Sequence, residues 1–202
     1  MSAFVSPTAS PVILIATDVF GHTAAVDALV RQWHQPALIV SPFSDNTRQF
    51  YSEQEAYQAF LAEGGIRRFA EKLFSAMEQH QASLRFAIGF SAGASALWIN
   101  SVKPVAANLQ NAVLFYGSRI REYRDIQPLC PVRLIFAEQE AAFNAQELVQ
   151  DLHTRGHHAE FVKGSKHGFM NAYSRGSCVK TQAKYCAELQ QMMQQTALPS
   201  AA

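Results

Sequence analysis

Six short apolar runs (residues 12–16, 37–40, 84–89, 112–116, 132–136 and 159–162) are set apart by longer stretches with helical periodicity. Each run is strand-length, and its Val, Ile, Leu, Ala or Phe residues occupy consecutive rather than alternate positions. A strand that is apolar on both faces must be covered on both, as in a parallel sheet sandwiched between helix layers. The intervening stretches can supply those layers. Residues 23–33 carry Val26, Leu29, Val30 and Trp33. Residues 66–77 repeat Ile66, Phe69, Ala70, Leu73, Phe74 and Met77 at intervals of three and four. Residues 144–152 and 179–193 are further helix candidates. The expectation is an α/β protein, a doubly wound, mainly parallel six-stranded sheet with helices on both faces. With right-handed crossovers the expected strand order is 2-1-3-4-5-6. Ligands in such folds collect at the carboxyl ends of the strands.

A chain of 202 residues fits a single domain of this kind, expected to span 1–202 with frayed ends at 1–10 and 197–202. Residues 41–83 form the longest stretch without a strand, yet no insertion is long enough for a large lid. The turn-like Ser41-Pro42-Phe43-Ser44-Asp45-Asn46 leaves the second strand and is expected to border a binding site. The balance of 17 basic and 16 acidic residues gives no electrostatic footprint for nucleic acid or an anionic membrane. The run at 12–16 is far too short to cross a bilayer. Three cysteines, Cys130, Cys178 and Cys186, cannot pair completely, which fits reduced thiols and a cytoplasmic location.

The chemistry concentrates at Gly89-Phe90-Ser91-Ala92-Gly93, which follows the third run and precedes the helix-competent Ala94-Ser95-Ala96-Leu97-Trp98-Ile99. A strand, a sharp turn and a helix are the setting in which G-x-S-x-G exposes a serine on a strained backbone. The first amides of the helix then point at the reacting centre, and the Ala92 amide becomes an oxyanion donor.

A serine at neutral pH needs a base within hydrogen-bonding reach. Of the seven histidines, His167 stands just after the last strand and before the final helix, on a loop where Gly164 and Gly168 permit a bend. His153 and His157 have helical spacing, but Gly156 interrupts the helix and no carboxylate or cysteine completes a metal set. They are read as a solvated helix end. His22 alone among His22, His34 and His80 is placed to approach the site. The acid should follow the fifth strand. Glu140 is the first choice, because a turn must swing it toward His167, and Glu138 is the runner-up.

These motifs resemble the dienelactone hydrolase family from about Val12 to the final helix. The likeness rests on Ala16-Thr17-Asp18-Val19-Phe20-Gly21, Gly89–Gly93, Phe136-Ala137-Glu138-Gln139-Glu140 and Lys166-His167-Gly168-Phe169-Met170. The resemblance implies a compact α/β-hydrolase fold and a second oxyanion donor at the Val19 amide. It puts Asp18 where founding members carry a glutamate that interacts with the nucleophile, so that Asp18 could orient Ser91 or a substrate. Serine replaces the founding cysteine, Glu140 replaces an aspartate, and Ala137 replaces a glycine. The sheet is expected to begin at its first parallel strand, without the extra N-terminal strands of longer hydrolases. The founding arginines that clamp a substrate carboxylate have no clear match; Arg48, Arg119 and Arg175 are the candidates for the rim.

The expected activity is hydrolysis of a small-molecule ester or lactone through an acyl-enzyme on Ser91, with no cofactor and no metal. A thioesterase or acyltransferase would use the same residues, and a non-catalytic binding protein would keep the fold without the reaction. A nucleotide- or flavin-binding domain ranks last, because Asp18-Val19-Phe20-Gly21-His22-Thr23 lacks the spaced glycines that cradle phosphates.

Overall fold

The structure, a computed structural model, describes residues 12–45 and 47–197. The six apolar runs form one all-parallel sheet: β1 (Ile13–Ala16), β2 (Ala37–Val40), β3 (Phe86–Phe90), β4 (Asn111–Phe115), β5 (Val132–Gln139) and β6 (His158–Lys166). Their order across the sheet is β2-β1-β3-β4-β5-β6, as the crossover argument requires. Between them run α1 (Ala24–Arg31), α2 (Glu53–Ala62), α3 (Gly65–His80), α4 (Ala92–Asn100), α5 (Ala145–Thr154) and α6 (Val179–Ala197). No helix among the described residues is long and apolar enough to cross a membrane.

The strands show why consecutive apolar positions are needed. Leu14, Ala87, Leu114, Leu134 and Phe136 face a core built with Phe60 of α2, Phe69, Leu73 and Met77 of α3, Trp98 of α4 and Leu148 of α5. Ile15, Ile88, Phe115 and Ile135 face the other way, onto Val26 and Leu29 of α1 and Tyr185, Leu189 and Met193 of α6. Successive side chains thus feed two cores, and a polar residue mid-strand would be buried without a partner.

Local chemistry sets several boundaries. The Thr23 hydroxyl caps α1 at the Val26 amide, and Asn144 caps α5 at the amides of Gln146 and Glu147. Gly156, at φ +85°, ends α5 in the left-handed region. Cys130, Cys178 and Cys186 are all free thiols.

Two expectations need correction. First, β5 and β6 run further than their apolar cores, to Gln139 and Lys166, so Gly164 lies within β6 instead of on the loop, and His167 follows directly on the strand end. Backbone pairing carries this extension through an irregularity between Ala137 and Gln139, and the Glu138 carboxylate accepts from the Gly164 amide at 2.7 Å. Second, Ser41, Pro42, Phe43 and Ser44 border a separate depression against α3, not the cleft at Ser91. The stretch 41–83 holds no strand among its described residues, as expected, and contains α2 as well as α3. Asn46, the expected frayed start and residues 198–202 of the expected frayed end lie outside the described residues, while Ala197 closes α6.

Candidate active site

Ser91 follows β3 and caps α4 with φ 49° and ψ −107°, a conformation that a residue with a side chain adopts only under constraint. Its amide donates to the Phe115 carbonyl at 2.9 Å, and its carbonyl accepts from the Ser95 amide at 3.0 Å, so both sides of the bend are tied down. The two motif glycines have separate steric duties. A Cβ on Gly89 would stand 2.6 Å from the Ala94 Cα, where α4 folds back over the strand end. A Cβ on Gly93 would stand 2.2 Å from the Ala16 carbonyl oxygen and 2.5 Å from that of Thr17. Gly93 therefore lets the first turn of α4 touch the end of β1, which draws the Ala92 amide toward the Val19 turn. Ala92 and Val19 line the same cleft as Ser91. As the first residue of α4, Ala92 has no intrahelical acceptor for its N–H.

The Ser91 Oγ lies 2.9 Å from His167 Nε2, and His167 Nδ1 lies 2.8 Å from Glu140 Oε2. The carboxylate of Glu140 is 3% exposed, and among the described residues its other oxygen, Oε1, has no hydrogen-bond partner. A buried carboxylate with one partner leans heavily on that partner. Burial of the imidazole works against its protonation, but the Glu140 hydrogen bond and charge, with the fields of Glu53 and Asp18, prevail. The His167 pKa is raised above its ordinary 6.5. The T-shaped contact of Tyr116, 5.0 Å between ring centres, braces the imidazole from the sheet side. Tyr116 itself sits at φ 41°, a second strained residue at a strand end. Glu138, the runner-up acid, is exposed and engaged by Gly164.

Asp18 is buried, and its carboxylate is taken up on both oxygens. Oδ1 accepts from the Phe20 amide at 3.0 Å and Oδ2 from the Asn171 side chain at 2.6 Å. Asp18 thereby fastens the Val19 turn to the loop that follows His167. Burial pushes its pKa up, against the pull of Asn171, the Phe20 amide and His167.

The cleft above Ser91 has a volume of about 370 Å³, near the lower end for small-molecule sites. Glu53 and Tyr57 of α2 and the segment Ser118–Glu122, carrying Arg119 and Arg121, form its walls. Of the three arginines weighed from sequence, only Arg119 lines it. Arg48 pairs with Glu63 at 2.8 Å, and Arg175 is exposed on the surface. His22 is also elsewhere, bonded to Asp27 at 2.7 Å. The expected solvated helix end holds more contacts than that reading implies. His153 reaches the Ala159 carbonyl at 2.6 Å, and His157 packs edge-on against Trp98. Asn171, Tyr116, Glu53 and Arg121 went unread in the sequence; only Asn171, four residues past His167, had a positional hint.

The model of the dienelactone hydrolase family matches residues 2–197. The uncharacterized protein YczH of Bacillus subtilis is 28% identical over 167 residues, 80% of this chain and 81% of that protein. Among solved structures, a candidate dienelactone hydrolase from Klebsiella pneumoniae subsp. pneumoniae has a TM-score of 0.70 at 16% identity, covering 96% of this chain and 90% of that one. A dienelactone hydrolase-like promiscuous phosphotriesterase from metagenomic libraries has a TM-score of 0.65 at 14% identity, covering 92% and 86%. At these identities the two structures share the fold, an α/β-hydrolase sheet.

Proposed function

Since the chain belongs to the dienelactone hydrolase family, we propose that it is a serine hydrolase that cleaves a small ester or lactone through an acyl-enzyme on Ser91. The observation that carries this reading is the continuous relay from Ser91 Oγ to His167 Nε2 and from His167 Nδ1 to Glu140, at 2.9 and 2.8 Å. His167 takes the hydroxyl proton as Ser91 Oγ adds to the carbonyl carbon. Glu140 holds the imidazole in the tautomer that leaves Nε2 free to accept, and it stabilises the imidazolium that forms. The amides of Ala92 and Val19 receive the developing oxyanion. His167 then returns the proton to the departing alkoxide. In the second half it activates water to release the acid and regenerate Ser91.

The cleft volume supports short acyl groups. The test is turnover of p-nitrophenyl acetate together with covalent labelling by a fluorophosphonate. Wild type turns over and is labelled. Ser91→Ala does neither, and His167→Ala loses turnover. Labelling that persists in Ser91→Ala would remove the proposal.

A further inference from the structure

The Tyr116 side chain is fully buried, and among the described residues its hydroxyl has no hydrogen-bond partner. The Met170 backbone is near enough to favour the phenolate, without the geometry of a hydrogen bond. A buried hydroxyl in that condition is costly and calls for an explanation. The ring cannot swing to relieve it. The Tyr116 amide is tied to the Ile135 carbonyl at 2.6 Å. The ring itself is packed against His167 and Phe169, each 5.0 Å away between centres, and Phe90 at 6.3 Å. Tyr116, Asp18 and Asn171 are the polar lining of a cavity of about 10 Å³, whose remaining walls are apolar, Val26 and Leu29 of α1 among them. That is about the space of one water, and a hollow of this size is wet when polar groups converge on it.

The lining has hydrogen bonds to spare. Each Asp18 oxygen accepts one bond, from the Phe20 amide or from Asn171, and a carboxylate oxygen has room for a second. Asn171 gives one amide hydrogen to Asp18 and keeps another. We propose that one water molecule seats here, accepting from the Tyr116 hydroxyl and the Asn171 amide and donating to the Asp18 carboxylate, and that this bridge makes Tyr116 a positioning residue for His167. The second half rests on the reading of His167 as the base for Ser91. Through the bridge the phenol is tied at its far end to the Val19 turn, while its ring stands against the imidazole at an angle of 61°. The bridge also favours the ionised form of Asp18. Three carboxylates act on the imidazole: Glu140 from the end of β5, Glu53 from α2 and Asp18 from the end of β1. Tyr116, from the end of β4, is the group that joins the last of these to the ring.

The experiment has a structural and a kinetic arm. A crystal structure of the wild-type chain should show one ordered water within hydrogen-bond distance of both Tyr116 Oη and the Asp18 carboxylate. A Tyr116 hydroxyl bonded directly to a protein group, or no ordered water there while other buried waters are visible, overturns the proposal. Tyr116→Phe keeps the ring and removes the hydroxyl, so the water loses an anchor. On p-nitrophenyl acetate kcat should fall about tenfold at unchanged KM, because the placement of the imidazole serves the transition state. Buried Asp18 is then ionised to a smaller extent, its negative field on His167 weakens, and the acid limb of kcat/KM moves to lower pH. Val26→Ile, which fills the cavity from its apolar wall and expels the water, should move the limb the same way. A folded variant of either kind with the wild-type kcat and limb overturns the positioning role. Fluorophosphonate labelling of Ser91 separates the two readings. Unlabelled wild type takes the positioning role down with the hydrolase reading, whereas labelled wild type beside an unshifted variant overturns the positioning role alone.

Discussion

Replacing Gly93 by alanine puts the smallest possible side chain at the point where α4 meets β1, and the geometry sets the cost. The added Cβ would lie 2.2 Å from the Ala16 carbonyl oxygen and 2.5 Å from that of Thr17. Ordinary contact lies more than an ångström further out, and both obstacles are buried backbone, which cannot rotate away as a side chain would. The first turn of α4 must back off by about 1 Å. Overpacking of this kind costs about 1–3 kcal/mol, and a rigid obstacle puts Gly93→Ala at the upper end. For a chain of this length that lowers Tm by about 6–12 °C. The same displacement separates the Ala92 amide from the Val19 turn and shifts Ser91 against His167. An error of about 1 Å at a reacting centre costs about a hundredfold in kcat. Thermal unfolding followed by circular dichroism and steady-state kinetics on a short p-nitrophenyl ester measure the two effects. Gly156→Ala is the control. Its Cβ would meet nothing within 4 Å, but φ is +85°. It should lose about 1–2 kcal/mol from left-handed strain and leave kcat unaltered. A Gly93→Ala protein with wild-type Tm and kcat would refute the steric argument for the second motif glycine.

The raised His167 pKa has a definite sign in activity. The base works only when neutral, so kcat/KM should fall as pH drops through a midpoint above the ordinary 6.5. Glu140→Gln removes the interactions that raise it, moving that limb to lower pH and reducing kcat by about 10³–10⁴-fold, as a pH–rate profile would reveal. Asn171→Leu deletes the side-chain donor to Asp18, and urea unfolding should record a loss of about 1–3 kcal/mol at neutral pH. Asp18 is already raised by burial, so the fold bears this penalty only while the carboxylate is ionised. The deficit should shrink as pH falls through the Asp18 pKa, and a pH-independent deficit would count against the assignment. Across p-nitrophenyl esters, acetate and butyrate should outpace dodecanoate, and a preference for the long chain would contradict a cleft of about 370 Å³.

What could be read beforehand follows from where the information is local. The first four strands carry their evidence in continuous apolar runs, because both faces of each are buried. The ends of β5 and β6 carry none: Glu138, Gln139, Lys163 and Lys166 are polar and exposed, and backbone pairing with the Glu138–Gly164 bond holds them. The helix α2 escaped notice because only Ala56 and Phe60 are buried along it, too few for a periodic stripe. In the site, Ser91 announces itself by flanking glycines, while His167 and Glu140 follow from their order after known strands. The Asp18–Asn171 bond joins residues 153 apart, and its only trace in the sequence is two polar letters. By resemblance Asp18 stands where it could orient Ser91 or a substrate, and only the fold shows that both its oxygens accept hydrogen bonds. Arg119 could not be separated from Arg48 and Arg175 by type, because what distinguishes it is the placement of Ser118–Glu122 beside the cleft.

The most direct test of the account is to acid-quench the enzyme within the first turnover of p-nitrophenyl acetate and map the acetyl group by mass spectrometry. One acetyl per chain is expected on Ser91, accumulating as the phenolate burst appears and absent from Ser91→Ala. An acetyl group on another side chain, or turnover that survives in Ser91→Ala, would contradict it.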